Sequence, residues 1–184
     1  MWFDKPMSSL LEPGKPLKLV PGIHEDIHHE IELGVVIGMR GKSIRRENAL
    51  KHIAGYFVGV DFTNRVLQRL NKEAGGDWVM AKGSNDFAAV SDFIHKGSVP
   101  DVGNVELELQ VNGETRQQAN TSMMIFDVPS MIEDISRYQE LREGDLIFTG
   151  TPEGVNSVKA GDKLLCCMRN GGGDELVRLE VDII

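Results

Sequence analysis

The chain has little cysteine, few aromatic residues and no surplus of basic charge, and each shortage closes off a class of protein. Its two cysteines, Cys166 and Cys167, are chain neighbours, a spacing that rarely closes a disulfide. A disulfide-stapled secreted scaffold is therefore excluded, and the expected location is intracellular: cytoplasmic, with mitochondrial as the alternative. No apolar stretch approaches the length of a membrane-spanning helix, so no membrane partner is expected. Lys and Arg number 20 against 28 Asp and Glu, a formal net charge of −8. Scattered basic residues in an acidic chain argue against nucleic acid, which needs a clustered positive surface. An anionic substrate would need its own local positive groups. The opening MWFDKPMSSLL has neither an apolar signal core nor an Arg-rich amphipathic pattern, so no targeting segment is expected there.

What is present suits one domain. The 184 residues are 41% hydrophobic and 26% charged, ordinary values for a globular protein, and residues 1–184 are read as a single unit. The Pro-rich opening from Lys5 to Pro21 reads as a short strand and an irregular loop. Residues 28–38 read as a strand, Ser43 to His52 as a short helix capped by Ser43, and Tyr56 to Asp61 as a strand ending on an acid. Asn64 to Ala74 reads as a helix with Val66 and Leu70 at i, i+4, stopped by Gly75 and Gly76. The segment VELELQVNGETRQQA, 105–119, alternates strictly and turns on Asn112–Gly113, a strong hairpin signal. Pro129 suits the first turn of a helix capped by Asp127 and running to Tyr138. Leu146 to Thr149, Lys163 to Met168 and Leu176 to Ile183 read as further strands. Strands outnumber helices without regular strand–helix alternation, so the expected class is α+β, mainly β, and not a Rossmann-type sheet.

One stretch stands out. In HHEIELGVVIG, residues 28–38, the two-residue period of a strand puts Glu30 and Glu32 on one face and Ile31, Leu33 and Val35 on the other. Two like charges side by side need water, a cation or a shared proton to relieve them. An edge strand with one wet face, a metal site and an acid/base pair all meet that need. After Glu32 the run Leu33 to Ile37 loses polar alternation and reads as buried on both faces, which weighs against the wet edge. Asp61 adds a third acid at a strand end, and a set of hard oxygen ligands suits Mg²⁺, Mn²⁺ or Ca²⁺ better than Zn²⁺. His28 shares the face of the glutamates, so a mixed site stays open. On the following helix Arg65 and Gln68 lie at i, i+3, hence on one side, as candidate substrate-orienting groups or as a solvated face. Lys82 in VMAKGSND offers a further positive charge. TGTPEGV, 149–155, offers Thr151 and turn N–H groups as a carboxylate cradle, or a plain strand-to-strand turn.

Together these stretches resemble the fumarylacetoacetate hydrolase superfamily, most closely its small domain-containing acylpyruvases and oxaloacetate decarboxylases. The resemblance is carried by F-x-K-P at Phe3 to Pro6, H-H-E-x-E-L-G at His28 to Gly34, D-x-T-x-R-x-x-Q at Asp61 to Gln68, and A-K at Ala81 and Lys82. V-N-G-E-x-R-Q at Val111 to Gln117 and G-D-x-I-x-T-G-T-P-x-G-V at Gly144 to Val155 complete an ordered set across nearly the whole chain.

The resemblance implies a mixed β-sheet roll of the fumarylacetoacetate hydrolase C-terminal type and a homodimer. It implies Glu30, Glu32 and Asp61 as ligands of Mg²⁺ or Mn²⁺, Arg65, Gln68 and Lys82 as substrate-holding groups with Lys82 catalytic, and Thr151 against the substrate carboxylate. The implied substrate is a small anionic 2-oxo acid. The implied activity is C–C bond cleavage of acylpyruvates or 2,4-dioxo acids through a metal-stabilised enolate, with oxaloacetate decarboxylation beside it. A 2-oxo acid isomerase or tautomerase, and a lidless binding relative, are the alternatives. Three carboxylates and a dication sum to −1, a monoanionic dioxo acid adds another −1, and Arg65 with Lys82 returns the site to zero. In the family a His/Glu pair on a lid helix ahead of F-x-K-P activates water. Met1–Trp2–Phe3 lies directly on that strand, so the lid segment is expected to be absent, with His24, His28 and His29 the remaining candidates for a base. Val66 stands where relatives often carry an acid.

Overall fold

Seven residues, Ile31–Ile37, form the strand on which the rest of the site is arranged, and its two faces are built differently. The structure is a computed structural model describing residues 2–184. In chain order its elements are β1 (Ile27–His29), β2 (Ile31–Ile37), β3 (Ile53–Asp61), β4 (Thr63–Asn64), helices α1 (Arg65–Glu73) and α2 (Val79–Lys82), β5 (Ala88–Val90), β6 (Ile94–His95), β7 (Val105–Val111), β8 (Glu114–Asn120), helix α3 (Val128–Tyr138), β9 (Leu146–Phe148), β10 (Asn156–Ser157), β11 (Lys163–Asn170) and β12 (Glu175–Asp182). The fold is α+β, mainly β, as expected from the sequence.

Among the described residues the strands form three sheets, in the orders β5-β3-β2-β9 (with β6 also pairing with β3), β12-β11-β7-β8 and β10-β1-β4. Every strand ladder is antiparallel. The parallel component of the sheet system lies in two isolated bridges, Leu10 to Ala88 and Leu17 to Ile183, through which the Pro-rich opening joins strand ends.

In the central pair, Ile31, Leu33 and Val35 oppose Val60, Val58 and Tyr56. All six are buried and belong to one apolar core with Phe62, Phe87, Leu109, Ile132 and Met168. The opposite face carries Glu32 across from Gly59 and Gly34 across from Phe57. A Cβ on Gly34 would fall 2.1 Å from ring atoms of Phe57, so glycine is required where the aromatic ring of the neighbouring strand lies over the backbone. Phe57 and Phe148 meet edge-on there at 5.3 Å between centroids. The apolar run after Glu32 is thus buried on both faces, by aliphatic packing on one and by aromatic rings over glycine on the other.

Several sequence expectations are corrected. The strand at 28–38 is interrupted at Glu30, because β1 pairs with β10 and β4 while β2 pairs with β3 and β9. Ser43 is not a helix cap: its φ is +52°, and the helical turn is a 3₁₀ segment over Arg46–His52. Lys82, which the sequence left without an assigned element, lies in the short helix α2. The hairpin holds, with Asn112 at φ +53° and Gly113 at φ +83°, the positive values that a tight two-residue turn demands. So does the cap of α3, where the Asp127 side chain accepts the Ser130 N–H at 2.9 Å.

Candidate metal and substrate site

Glu30, Glu32 and Asp61 reach one spot from two strands, β2 and β3, and from the break just before β2. Asp61 ends β3, and its N–H donates to the Glu30 carbonyl at 2.9 Å, so the last ladder bond brings the two acids side by side. Glu32 follows two residues on, across from Gly59. One oxygen of each carboxylate lies within 4.8 Å of the others, and all three residues are buried.

Cations from three directions meet this cluster. Lys82 Nζ donates to Glu30 Oε2 at 2.6 Å and to Asp61 Oδ2 at 2.7 Å. Arg65, the first residue of α1, donates from Nη2 to Glu30 Oε1 at 2.5 Å and from Nη1 to Gln68 Oε1 at 2.7 Å. Its helix starts where it does because the buried Asn64 side chain caps it, accepting the Leu67 N–H at 3.1 Å. Lys5 Nζ donates to Asp61 Oδ1 at 2.7 Å and also bonds the Lys82 carbonyl. Phe3 covers the other side of Lys82, its ring centroid 5.4 Å from Nζ, a cation–π contact that shields the ammonium from water.

Glu32 differs from its two partners. Among the described residues it has no side-chain cation within ion-pair distance, and its Oε2 accepts the Gly150 N–H at 2.5 Å. Burial, followed by the negative charge of Asp61, pushes its carboxyl well above the ordinary glutamate range, and the Gly150 bond only partly offsets this. The cluster is short of positive charge beside Glu32, which a divalent cation among the three carboxylates would supply. The donor set is all oxygen, as Mg²⁺ and Mn²⁺ prefer. The residues present fit such an ion.

Sequence reasoning missed Lys5. Its signal was the F-x-K-P motif, but a charge near the chain start beside Pro6 gives no hint that it reaches a strand end 56 positions away. Burial lowers its pKa, opposed by the pairing with Asp61. Thr151 lies just beyond the Gly150 contact, half-buried, its Oγ1 accepting from Gln117 Nε2 at 2.8 Å. The histidines hold other bonds: His24 receives the Val20 N–H and packs on Phe87, His28 pairs with Asp26, and His29 meets Gln117. None of the three hydrogen-bonds to Glu30, Glu32 or Asp61. Arg69 is exposed on α1.

A curled antiparallel β fold with three buried carboxylates at a strand end, framed by Lys and Arg, defines a protein suited to hold a hard divalent cation and a small anion together. The chain belongs to the fumarylacetoacetate hydrolase family: the family described as Fumarylacetoacetate (FAA) hydrolase C-terminal matches residues 1–183. It is 43% identical over 165 residues to the mitochondrial oxaloacetate decarboxylase of Dictyostelium discoideum, covering 90% of this chain and 76% of that protein. It is 45% identical over 162 residues to a mitochondrial oxaloacetate tautomerase of Arabidopsis thaliana, covering 88% and 72%. Its fold superposes on the fumarylpyruvate hydrolase of Pseudomonas aeruginosa, solved with Mn²⁺ and pyruvate, with a TM-score of 0.90 at 36% identity, covering 99% of this chain and 77% of the other. Relatives of this kind are enzymes of the superfamily, and among the described residues no helix is long and apolar enough to cross a membrane.

Proposed function

We propose that residues 1–184 form one catalytic domain that binds Mg²⁺ or Mn²⁺ through Glu30, Glu32 and Asp61 and converts a small dianionic 2-oxo acid of the oxaloacetate type through its enolate. The observation that carries this reading is the balance of charge around the cluster. Arg65 and Lys82 alone leave the three carboxylates at −1; with Lys5 counted beside them, three cations face three carboxylates and the sum over these residues is zero. A divalent ion raises it to +2, which a dicarboxylate returns to zero and a monoanionic dioxo acid does not. The names of the decarboxylase and tautomerase relatives favour the same substrate.

Bound among the carboxylates, the cation would act as a Lewis acid on the 2-oxo group. The chain's own residues do the rest. Arg65, held by Gln68, and Thr151 orient the substrate carboxylates. Lys82 Nζ, central and screened by Phe3, carries the proton. In decarboxylation the C3–C4 bond breaks, CO₂ leaves, the electron pair enters the enolate, and Lys82 donates a proton to C3 and is later reprotonated from solvent. In tautomerisation of the enol the Lys82 ammonium protonates C3 and the resulting amine takes the enol hydroxyl proton, so one proton moves from oxygen to carbon without loss of CO₂. Hydrolysis of acylpyruvates, the second reading, is favoured by the likeness to fumarylpyruvate hydrolase. It needs a base for water, and His24, His28 and His29 are engaged elsewhere.

The reading extends to assembly and place. Met123, Ile125 and Phe126, exposed at 75%, 92% and 66%, form an apolar patch that a second copy would cover in a homodimer. The location is intracellular, and the names of both relatives favour the mitochondrion over the cytoplasm. The deciding experiment is turnover of oxaloacetate and of acetylpyruvate by the purified chain, each with Mg²⁺ and with EDTA. Metal-dependent loss of oxaloacetate with acetylpyruvate untouched supports the enolate reading. Cleavage of acetylpyruvate at a comparable rate supports the hydrolase, and turnover that EDTA leaves unchanged sinks both.

A further inference from the structure

Gln117 is the buried residue of β8, whose other residues are exposed or half-buried, and every polar valence of its amide is used. Its Oε1 accepts from Ile31 N at 3.1 Å and meets His29 Nδ1 at 2.8 Å. Its Nε2 donates to Thr151 Oγ1 at 2.8 Å and to the Pro152 carbonyl at 2.9 Å. Two of the four partners are backbone groups whose roles cannot reverse: Ile31 N–H only donates and the Pro152 carbonyl only accepts. They fix which end of the amide is oxygen. His29 Nδ1 must then carry its hydrogen, and Thr151 Oγ1 must accept from Gln117, which leaves the threonine hydroxyl hydrogen free to donate elsewhere.

The placement is mechanically tight as well. Gly154 has φ +96°, and a Cβ there would fall 2.1 Å from the Arg116 carbonyl, so the loop after Thr151 presses directly on the residue before Gln117. The other end of that loop is tied to β2, with Thr149 Oγ1 donating to the Leu33 carbonyl at 2.9 Å and Gly150 N–H reaching Glu32. Ile31, the backbone partner of Gln117, lies between Glu30 and Glu32. One buried amide therefore joins the strand of two candidate metal ligands to the loop of the candidate carboxylate contact.

We propose that Gln117 is a positioning residue that sets the direction of the Thr151 hydroxyl, so that it donates its hydrogen to the substrate carboxylate while the loop stays in register with Glu30 and Glu32. This rests on the reading of Thr151 as the carboxylate contact. A glutamate at 117 could still accept from Ile31 and His29. It would present only an acceptor to Thr151, whose hydroxyl would turn to donate to it and be lost to the substrate.

The test uses oxalate as a stable dianionic probe, its binding to the Mg²⁺-loaded full chain followed by calorimetry, beside steady-state kinetics with oxaloacetate. Gln117→Glu is expected to weaken oxalate and raise KM about tenfold or more, in line with loss of a hydrogen bond to a charged group, while kcat changes less. Thr151→Val is expected to do the same, and the double variant no worse than either alone, because both remove one interaction. Additive losses would overturn the proposal, as would a kcat defect with KM unchanged. Failure of the unsubstituted, metal-loaded chain to bind oxalate would overturn the functional reading and this inference with it. A readout independent of substrate and of variant folding is the ¹⁵N spectrum of His29 in the unsubstituted chain. Hydrogen on Nδ1 is expected, and hydrogen on Nε2 alone would reverse the amide chain and sink the proposal whatever the substrate.

Discussion

Lys82 Nζ lies 2.7 Å from Asp61 Oδ2, on the one oxygen of that carboxylate that Lys5 leaves free. The ammonium thus donates to two of the three carboxylates that would hold a divalent ion, Glu30 and Asp61. Replacing it separates two roles. Lys82→Met is expected to lower kcat on oxaloacetate at least about 100-fold, the scale of a lost general acid, without weakening Mg²⁺ binding. In the metal-free chain it is expected to lower stability by about 3 kcal/mol or more, because buried carboxylates lose their partner. Calorimetric Mg²⁺ titration and thermal melts with and without metal check this. A variant that keeps full turnover removes Lys82 from the chemistry.

In the function proposed above, Lys5 is the cation that brings the charge of the metal-loaded site to suit a dianion. Lys5→Met is therefore expected to raise KM for oxaloacetate by more than it raises that for monoanionic acetylpyruvate, or to lower the affinity for oxalate by more than that for pyruvate where acetylpyruvate is not turned over. Equal effects on both probes would mean that Lys5 only supports Asp61.

Removing one ligand charge should matter where removing a surface charge does not. Glu30→Gln is expected to abolish metal-dependent activity. Lys51→Gln is expected to leave activity unchanged, since the exposed Lys51 ammonium bonds only Asn48 among the described residues. Full Mg²⁺-dependent turnover by Glu30→Gln would show the site to be wrong.

Glu32 gives a signed pH dependence. Its carboxyl titrates well above the ordinary glutamate range because of burial and Asp61, so between the ordinary value and its own the native chain holds a proton that the unfolded chain has lost. In that window the stability of the metal-free protein falls as pH rises. Glu108 and Asp127 act in the opposite sense. Their pKa values are lowered, Glu108 by bonds from Gln110 and Arg169 and Asp127 by Ser130, so their contribution is lost only as pH falls below the ordinary carboxylate range. Melting temperature against pH is expected to decline above the ordinary range without metal and to flatten with Mg²⁺, which expels the proton. Mg²⁺ affinity is expected to rise through the same window. Glu32→Gln should remove the decline, and a decline that survives it would place the responsible group elsewhere.

The sequence by itself determined the elements whose signals are local. Asn112–Gly113 specified its hairpin because few other residue pairs accept two positive φ values, Asp127 and Asn64 specified helix starts by offering a carbonyl or carboxylate oxygen to the first turn, and alternation told strands from helices over 105–111. It also brought out Glu30, Glu32 and Asp61, since like charges inside an apolar strand demand a partner, and an ordered set of motifs named the family.

Only the tertiary structure decided what meets them. The break of the strand at Glu30 depends on which strands lie beside it, and the 3₁₀ turn after Ser43 on a backbone that must swing back against α3, where Ser43 N–H donates to the Ser136 carbonyl. Lys5 and Gln117 read as ordinary polar residues of a loop and a strand, and Lys82, singled out through the family motif, carries no local sign of the carboxylates it meets. Each becomes part of the site through contacts far from its own place in the chain. Such contacts leave no local periodicity, because they are set by the packing of sheets against one another and by the need of every buried charge and amide for a partner.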